Sequence, residues 1–118
     1  GKLEGTLVGH TAPVRSLTRS VAGELVSGSD DSTIRVWQGD SCVHTFTGHT
    51  DCVVSLTVSP LDGTIVSGSG DNTAKVWSPS AGACLATLEG HRFSVTAVCV
   101  LDNGDVATGS PDKSVRVW

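Results

Sequence analysis

The chain has 118 residues, 12 acidic against 8 basic side chains and a net charge of −4. Its basic residues are dispersed singly, which excludes the clustered patch of a nucleic-acid footprint and leaves anionic membrane surfaces equally unsupported. No apolar run approaches the roughly 20 residues of a membrane span and no signal peptide opens the chain, while 14 Gly among many Val, Ser and Thr point to short strands and tight turns, an all-β class.

In chain order, Leu3–Val8 reads as a first strand, and the turn Gly9-His10 follows it. Val14-Arg15-Ser16-Leu17 then opens a strand, Ala22-Gly23 marks a hairpin, and Leu25–Ser29 and a run ending at Val36-Trp37 complete the set. The same order recurs twice. Gly-His returns at Gly48-His49 and Gly90-His91, spaced 39 and 42 residues apart, and Val-Trp at Val76-Trp77 and Val117-Trp118, spaced 40 and 41. Val53–Leu56 and Val95–Val98 match the first strand after Gly-His, and Ile65–Ser69 and Val106–Ser110 match Leu25–Ser29. Asp62-Gly63 and Asn103-Gly104 supply the hairpin turns, where Gly tolerates positive φ. Each unit therefore reads as four strands: a after Gly-His, b through Ser-Gly-Ser, c ending at Trp, and d leading into the next Gly-His. Strand d is placed at 3–8, 42–47 and 84–89, and the repeats at about 9–47, 48–89 and 90–118. No segment sustains a 3.6-residue apolar period, so no helix is expected.

Four cysteines, Cys42, Cys52, Cys84 and Cys99, include no C-x-x-C pair, which argues against zinc or any other metal. Cys42 and Cys84 hold equivalent repeat positions and read as packing residues in a reducing, cytoplasmic setting. His44 is the one His outside the repeat pattern and reads as a solvent-facing residue of an outer strand. Phe93 either packs beneath the loop after His91 or lies exposed on it.

On its Gly-His and Trp markers, and on an Asp six residues before each Trp (Asp31, Asp71, Asp112), the chain resembles the WD40 (WD-repeat) β-propeller family over essentially its whole length. The family's usual Asp after Trp is replaced by Gln38 and Ser78, a loss of one polar turn residue per repeat. The resemblance implies a hydrogen-bonded network in each blade: His10, Ser27, Asp31 and Trp37; His49, Ser67, Asp71 and Trp77; His91, Thr108, Asp112 and Trp118. Such a network has a plain physical reason. A half-buried carboxylate needs donors, an imidazole provides one, and a strand-b hydroxyl links that imidazole to the donor-only indole. The Ser, His and Asp also invite a hydrolase reading. A catalytic triad, however, singles out one hydroxyl on a strained or exposed turn, whereas this trio repeats three times beside a Trp. The expectation is therefore a non-enzymatic protein without a cofactor.

The resemblance also implies a protein- or peptide-binding face on the d–a and b–c loops, at Pro13, Arg15 and Asp30; Cys52, Val54 and Gly70; and Ser94, Thr96 and Pro111. Arg15 is the strongest anchor type among them. Trp37–Cys42 and Val100–Val106 carry a narrower resemblance, to the ubiquitin-binding propellers of the phospholipase-A2-activating-protein family.

Propellers close with about four to eight blades, so three blades expose two apolar faces. In closed propellers of the family the first strand completes the last blade. Here Leu3–Val8 is expected to fasten the third blade of a neighbouring chain, in a homo-oligomer. A dimer makes six blades at about 60° each and a trimer nine at about 40°. The dimer is favoured because six lies in the usual range. Two other readings stay open: a segment of a longer propeller completed by further blades, and a purely structural self-assembling piece without an outside ligand. The leading Gly1 in place of Met points to a processed or excised start.

Overall fold

The computed structural model describes residues 1–118 and contains eleven strands and no helix. The first sheet comprises β1 (Val14–Arg19), β2 (Leu25–Ser29), β3 (Ile34–Gln38) and β4 (Ser41–Phe46). The second comprises β5 (Val53–Val58), β6 (Ile65–Ser69), β7 (Ala74–Ser78) and β8 (Ala83–Leu88), and the third β9 (Ala97–Val100), β10 (Val106–Gly109) and β11 (Val115–Val117). Every pairing is antiparallel between consecutive strands, so each sheet is a meander. β-branched residues favour these pleated positions, and Gly23, Gly63 and Gly104 turn the a–b hairpins at φ of 87°, 74° and 90°.

Equivalent sheets repeat their irregularities. The ladder shifts between Val14 and Ser16 and between Val53 and Ser55, and again at Val36/Trp37 and Val76/Trp77. Such bulges re-aim the side chains beyond them. The third sheet departs from this pattern, because β9 starts at Ala97, two residues later than β5 at its equivalent Val53. The amides of Asp30 and Gly70 donate to the carbonyls of Pro13 and Cys52. Pro111 stands at their equivalent position and has no N–H to give, so the ladder ends sooner.

The sheets stack in a row and bury the core between them. Val26, Ile34, Val36 and Phe46 of the first sheet meet Val53, Ile65 and Trp77 of the second in one buried cluster. Each such side chain contributes about 1.5–3 kcal/mol by leaving water. The approach is close enough to require glycine. A Cβ on Gly68 would lie 2.6 Å from the Val95 carbonyl oxygen of the third sheet, and one on Gly28 would lie 2.7 Å from Val53 Cγ1.

Within a single chain the sheets have four, four and three strands, and Leu3–Val8 pairs with none of them. An outer strand exists only by pairing with a c strand. β4 already occupies β3, while β11 lies at the far end of the row. Contrary to expectation, His44 is not solvent-facing: it is half-buried and stacks on Phe46 at 5.8 Å. It sits opposite Val36, on the face that the second sheet covers. Cys42 and Cys84 stand opposite Trp37 and Trp77, but Cys84 is exposed rather than packed.

Candidate functional site

Three equivalent polar clusters line the edge where the d–a and b–c loops meet. Each is assembled from a loop His, a strand-b hydroxyl, a turn Asp and a strand-c Trp. His10 Nδ1 lies 2.8 Å from Asp31 Oδ2 and Nε2 lies 2.7 Å from Ser27 Oγ, which accepts the Trp37 indole N–H at 2.8 Å. His49, Asp71, Ser67 and Trp77 repeat these distances, 2.8, 2.7 and 2.8 Å. His91, Asp112, Thr108 and Trp118 follow at 2.8, 2.7 and 2.9 Å.

The donors must run in one direction. A carboxylate only accepts, so Nδ1 carries the imidazole proton. Nε2 then accepts from the hydroxyl, whose oxygen accepts from the donor-only indole. The donors around each carboxylate are equally repetitive. The amides of Thr11, Thr50 and Arg92 donate to the same carboxylate oxygens that the imidazoles reach. The side-chain hydroxyls of Thr33, Thr73 and Ser114 donate to the other oxygen of each Asp and lie two residues beyond it. The intervening Ser32, Asn72 and Lys113 adopt left-handed φ of 72°, 73° and 71°.

These hydroxyls are site residues that the family pattern passed over. The Asp-x-Thr/Ser spacing at 31–33, 71–73 and 112–114 signals them, because it is the signature of an Asx turn. Ser29 and Ser69 were also passed over; their hydroxyls accept the Asp31 and Asp71 amides and donate to d–a loop carbonyls.

Burial alone would raise the Asp31 and Asp71 carboxyls. The Thr33 and Thr73 hydroxyls, the imidazoles of His10 and His49 and the loop amides outweigh it and hold both below the usual carboxylate range. The Ser114 hydroxyl does the same for Asp112, with help from His91 and the Arg92 amide. His49 titrates below an ordinary imidazole, because its burial outweighs the attraction of Asp71.

The candidate face residues lie on the same edge. Pro13, Arg15, Thr96 and Pro111 are exposed, and Asp30, Cys52, Val54, Gly70 and Ser94 are half-buried. Arg15 and Asp30 form a two-bonded ion pair at 2.8 and 2.7 Å, which lowers the Asp30 carboxyl. Burial, with the neighbouring Asp51 carboxylate, pushes the Cys52 thiol up. Phe93 is 59 % exposed, so it stands on this edge rather than under its loop.

The largest groove, about 460 Å³, lies at the opposite edge among the a–b hairpins, against Arg19, Val21, Val58 and Pro60. It is open and gathers no paired or poised group, so the chemistry of the molecule is on the loop edge. No three His, Cys, Asp or Glu side chains approach closely enough to hold a metal ion. No helix is long and apolar enough to cross a membrane.

The sequence profile of the family described as "WD domain, G-beta repeat" matches three times, over residues 1–38, 40–78 and 82–118. The chain belongs to the WD40 repeat family. Each WD40 match runs from the strand-d position through the Trp of strand c, so the first takes in residues 1–8. Among curated WD40 relatives, the chain is 35 % identical to the ribosome biogenesis protein WDR12 homolog of Drosophila mojavensis, over all of this chain and 34 % of that protein. It is 32 % identical to pre-mRNA-processing factor 19 of Oryza sativa subsp. japonica, over all of this chain and 24 % of that protein. It thus spans about a third or less of the curated relatives it matches. The crystal structure of the WD40 β-propeller domain of Doa1 superimposes with a TM-score of 0.85 at 30 % identity, covering 92 % of this chain and 37 % of that one. The three sheets are therefore consecutive WD40 propeller blades.

Proposed function

We propose that the chain is a non-enzymatic WD40 scaffold that assembles with further copies of itself and presents a protein- or peptide-binding face on its d–a and b–c loops. One observation carries the reading: three buried networks pin the loop edge, while Arg15 and Phe93 remain exposed upon it. Loops ordered in advance lose little entropy when a partner docks, and Arg and aromatic side chains are the preferred anchors of protein interfaces. Asp30 orients the Arg15 fork without covering it.

Catalysis is disfavoured by the hydroxyls themselves. Ser27, Ser67 and Thr108 are buried and each accepts an indole N–H, so a substrate carbonyl has no approach to any of these hydroxyls. The four unpaired cysteines suit a reducing intracellular compartment. Ubiquitin is the first ligand to test, because Trp37–Cys42 and Val100–Val106 resemble segments of ubiquitin-binding propellers. The names of the relatives add ribosome biogenesis and pre-mRNA processing as settings.

A photo-crosslinking residue at Phe93, with a control at Leu61 on the opposite edge, tests the face. Adducts with a defined protein partner at position 93, absent at 61 and lost in Arg15→Ala, are the expected result. Equal labelling at both edges, or none at either, favours the second reading: a purely structural module, which the scarcity of anchors beyond Arg15 and Phe93 supports.

A further inference from the structure

We infer that the two open ends of the blade row are the complementary halves of one blade–blade junction, and that a second copy of this chain docks there head to tail, adding its Leu3–Val8 as the outer strand beside β11. The inference rests on the self-assembling reading above and gives it a surface and a register.

The junction that covers such faces is present inside the chain. The trailing face of the first blade (Val26, Ile34, Val36) packs on the leading face of the second (Val53, Ile65, Trp77), with Leu56 against the same cluster. At the ends the equivalent positions are unpartnered. On the trailing face of the third blade, Val115 and Val117, in the places of Ile34 and Val36, are 76 % and 61 % exposed. On the leading face of the first blade, Val14 and Leu17, in the places of Val53 and Leu56, are 50 % and 65 % exposed. Each end thus carries the residue types that the opposite end would need. A backbone bond marks the junction too: the Val95 amide donates to the Ser69 carbonyl across the second and third blades. Val14 and Ser110 stand at the corresponding positions of the two ends.

The outer-strand register follows from the two that exist. β4 places Phe46 opposite Ile34 and Thr45 opposite Arg35, and β8 places Leu88 opposite Ala74 and Thr87 opposite Lys75. Phe46 and Leu88 each stand three residues before a loop His, as Leu7 does, and Thr45, Thr87 and Thr6 each stand four before. Leu7 of one copy therefore falls opposite Val115 of the next, and Thr6 opposite Arg116. The pair Lys75 Nζ to Thr87 Oγ1, at 2.8 Å, shows the contact that Thr6 and Arg116 would repeat. The segment is available: Leu3 and Val8 are exposed, and no ladder occupies it.

The test uses the 118-residue chain and two variants, Leu17→Asp on the leading face and Val115→Asp on the trailing face. Both residues are exposed in the single chain, so neither change disturbs a buried contact, and circular dichroism verifies the fold. Light scattering should give about 24 or 36 kDa for the parent chain, two or three times 12.1 kDa. Each variant alone should give the single-chain mass. An equimolar mixture should give a 1:1 pair, because one intact leading face then meets one intact trailing face. Removal of Gly1–Val8 should weaken assembly at least tenfold. A parent chain that stays at 12.1 kDa overturns both the inference and the self-assembling reading. Assembly that survives in both variants leaves self-assembly standing but overturns this surface. Variants that stay apart when mixed overturn the head-to-tail arrangement, and a truncated chain that assembles as before overturns the strand addition.

Discussion

A carboxylate at the tip of each b–c turn is costly to bury alone and inexpensive when four donors converge on it, which is why Asp31, Asp71 and Asp112 never appear without their His, hydroxyl and amide partners. Removing one member strands the others. Asp71→Ala leaves the His49 Nδ1–H, the Thr50 amide and the Thr73 hydroxyl without their acceptor, and urea titration should show a loss of about 1–3 kcal/mol. An unchanged midpoint would mean that water replaces the carboxylate without penalty. The network also sets an acid limit. His49 binds its proton below 6.5 in the folded chain, so under that pH the unfolded chain takes up more protons and stability falls. The Asp carboxyls are depressed from 3.8, so their contribution is intact above that value and drains away as pH drops further. Denaturant midpoints should therefore decline in two stages on acidification from neutrality, and a midpoint that rose below 6.5 would contradict the His49 environment.

The strand and turn are the scale at which the repeat was most legible. Period-2 runs of Val, Ile and Thr between Gly-His, Asp-Gly and Trp markers locate β1 to β3 and β5 to β7 within a residue or two, because these elements depend on local spacing. Two features at this scale were not legible in that way. Pro111 was visible, but its effect on the start of β9 depends on a bond that only the first two blades reveal. His44 sits on an outer strand, yet its face is decided by its place opposite Val36, in register with Phe46 opposite Ile34. The junction glycines make a sharper prediction. At Gly68 an added methyl would meet the Val95 carbonyl oxygen at 2.6 Å, so Gly68→Ala should cost about 1–3 kcal/mol through displacement of the third blade. The same change at Gly109, where the nearest atom is Ala97 Cβ at 3.7 Å, should be almost neutral in thermal denaturation of the single chain.

At the scale of the whole molecule, the row of blades has two buried junctions and two bare ends. An assembly through those ends links stability to concentration, because association favours the folded chain. The thermal midpoint should rise across an approximately hundredfold concentration series, and Val115→Asp should abolish that dependence. A midpoint independent of concentration in the parent chain would mean that three blades stand without a partner.

By itself the sequence determined the all-β class, the period near 40 residues, the four-strand unit and which His, hydroxyl, Asp and Trp recur together, since each is written in spacings along one short stretch of chain. Tertiary structure alone decided which face of each blade is covered, that Leu3–Val8 remains unpaired, and that Phe93 stands in solvent. Those outcomes depend on atoms brought together from separate repeats. A face is buried only when the neighbouring blade arrives, and an outer strand forms only where an inner strand offers its edge.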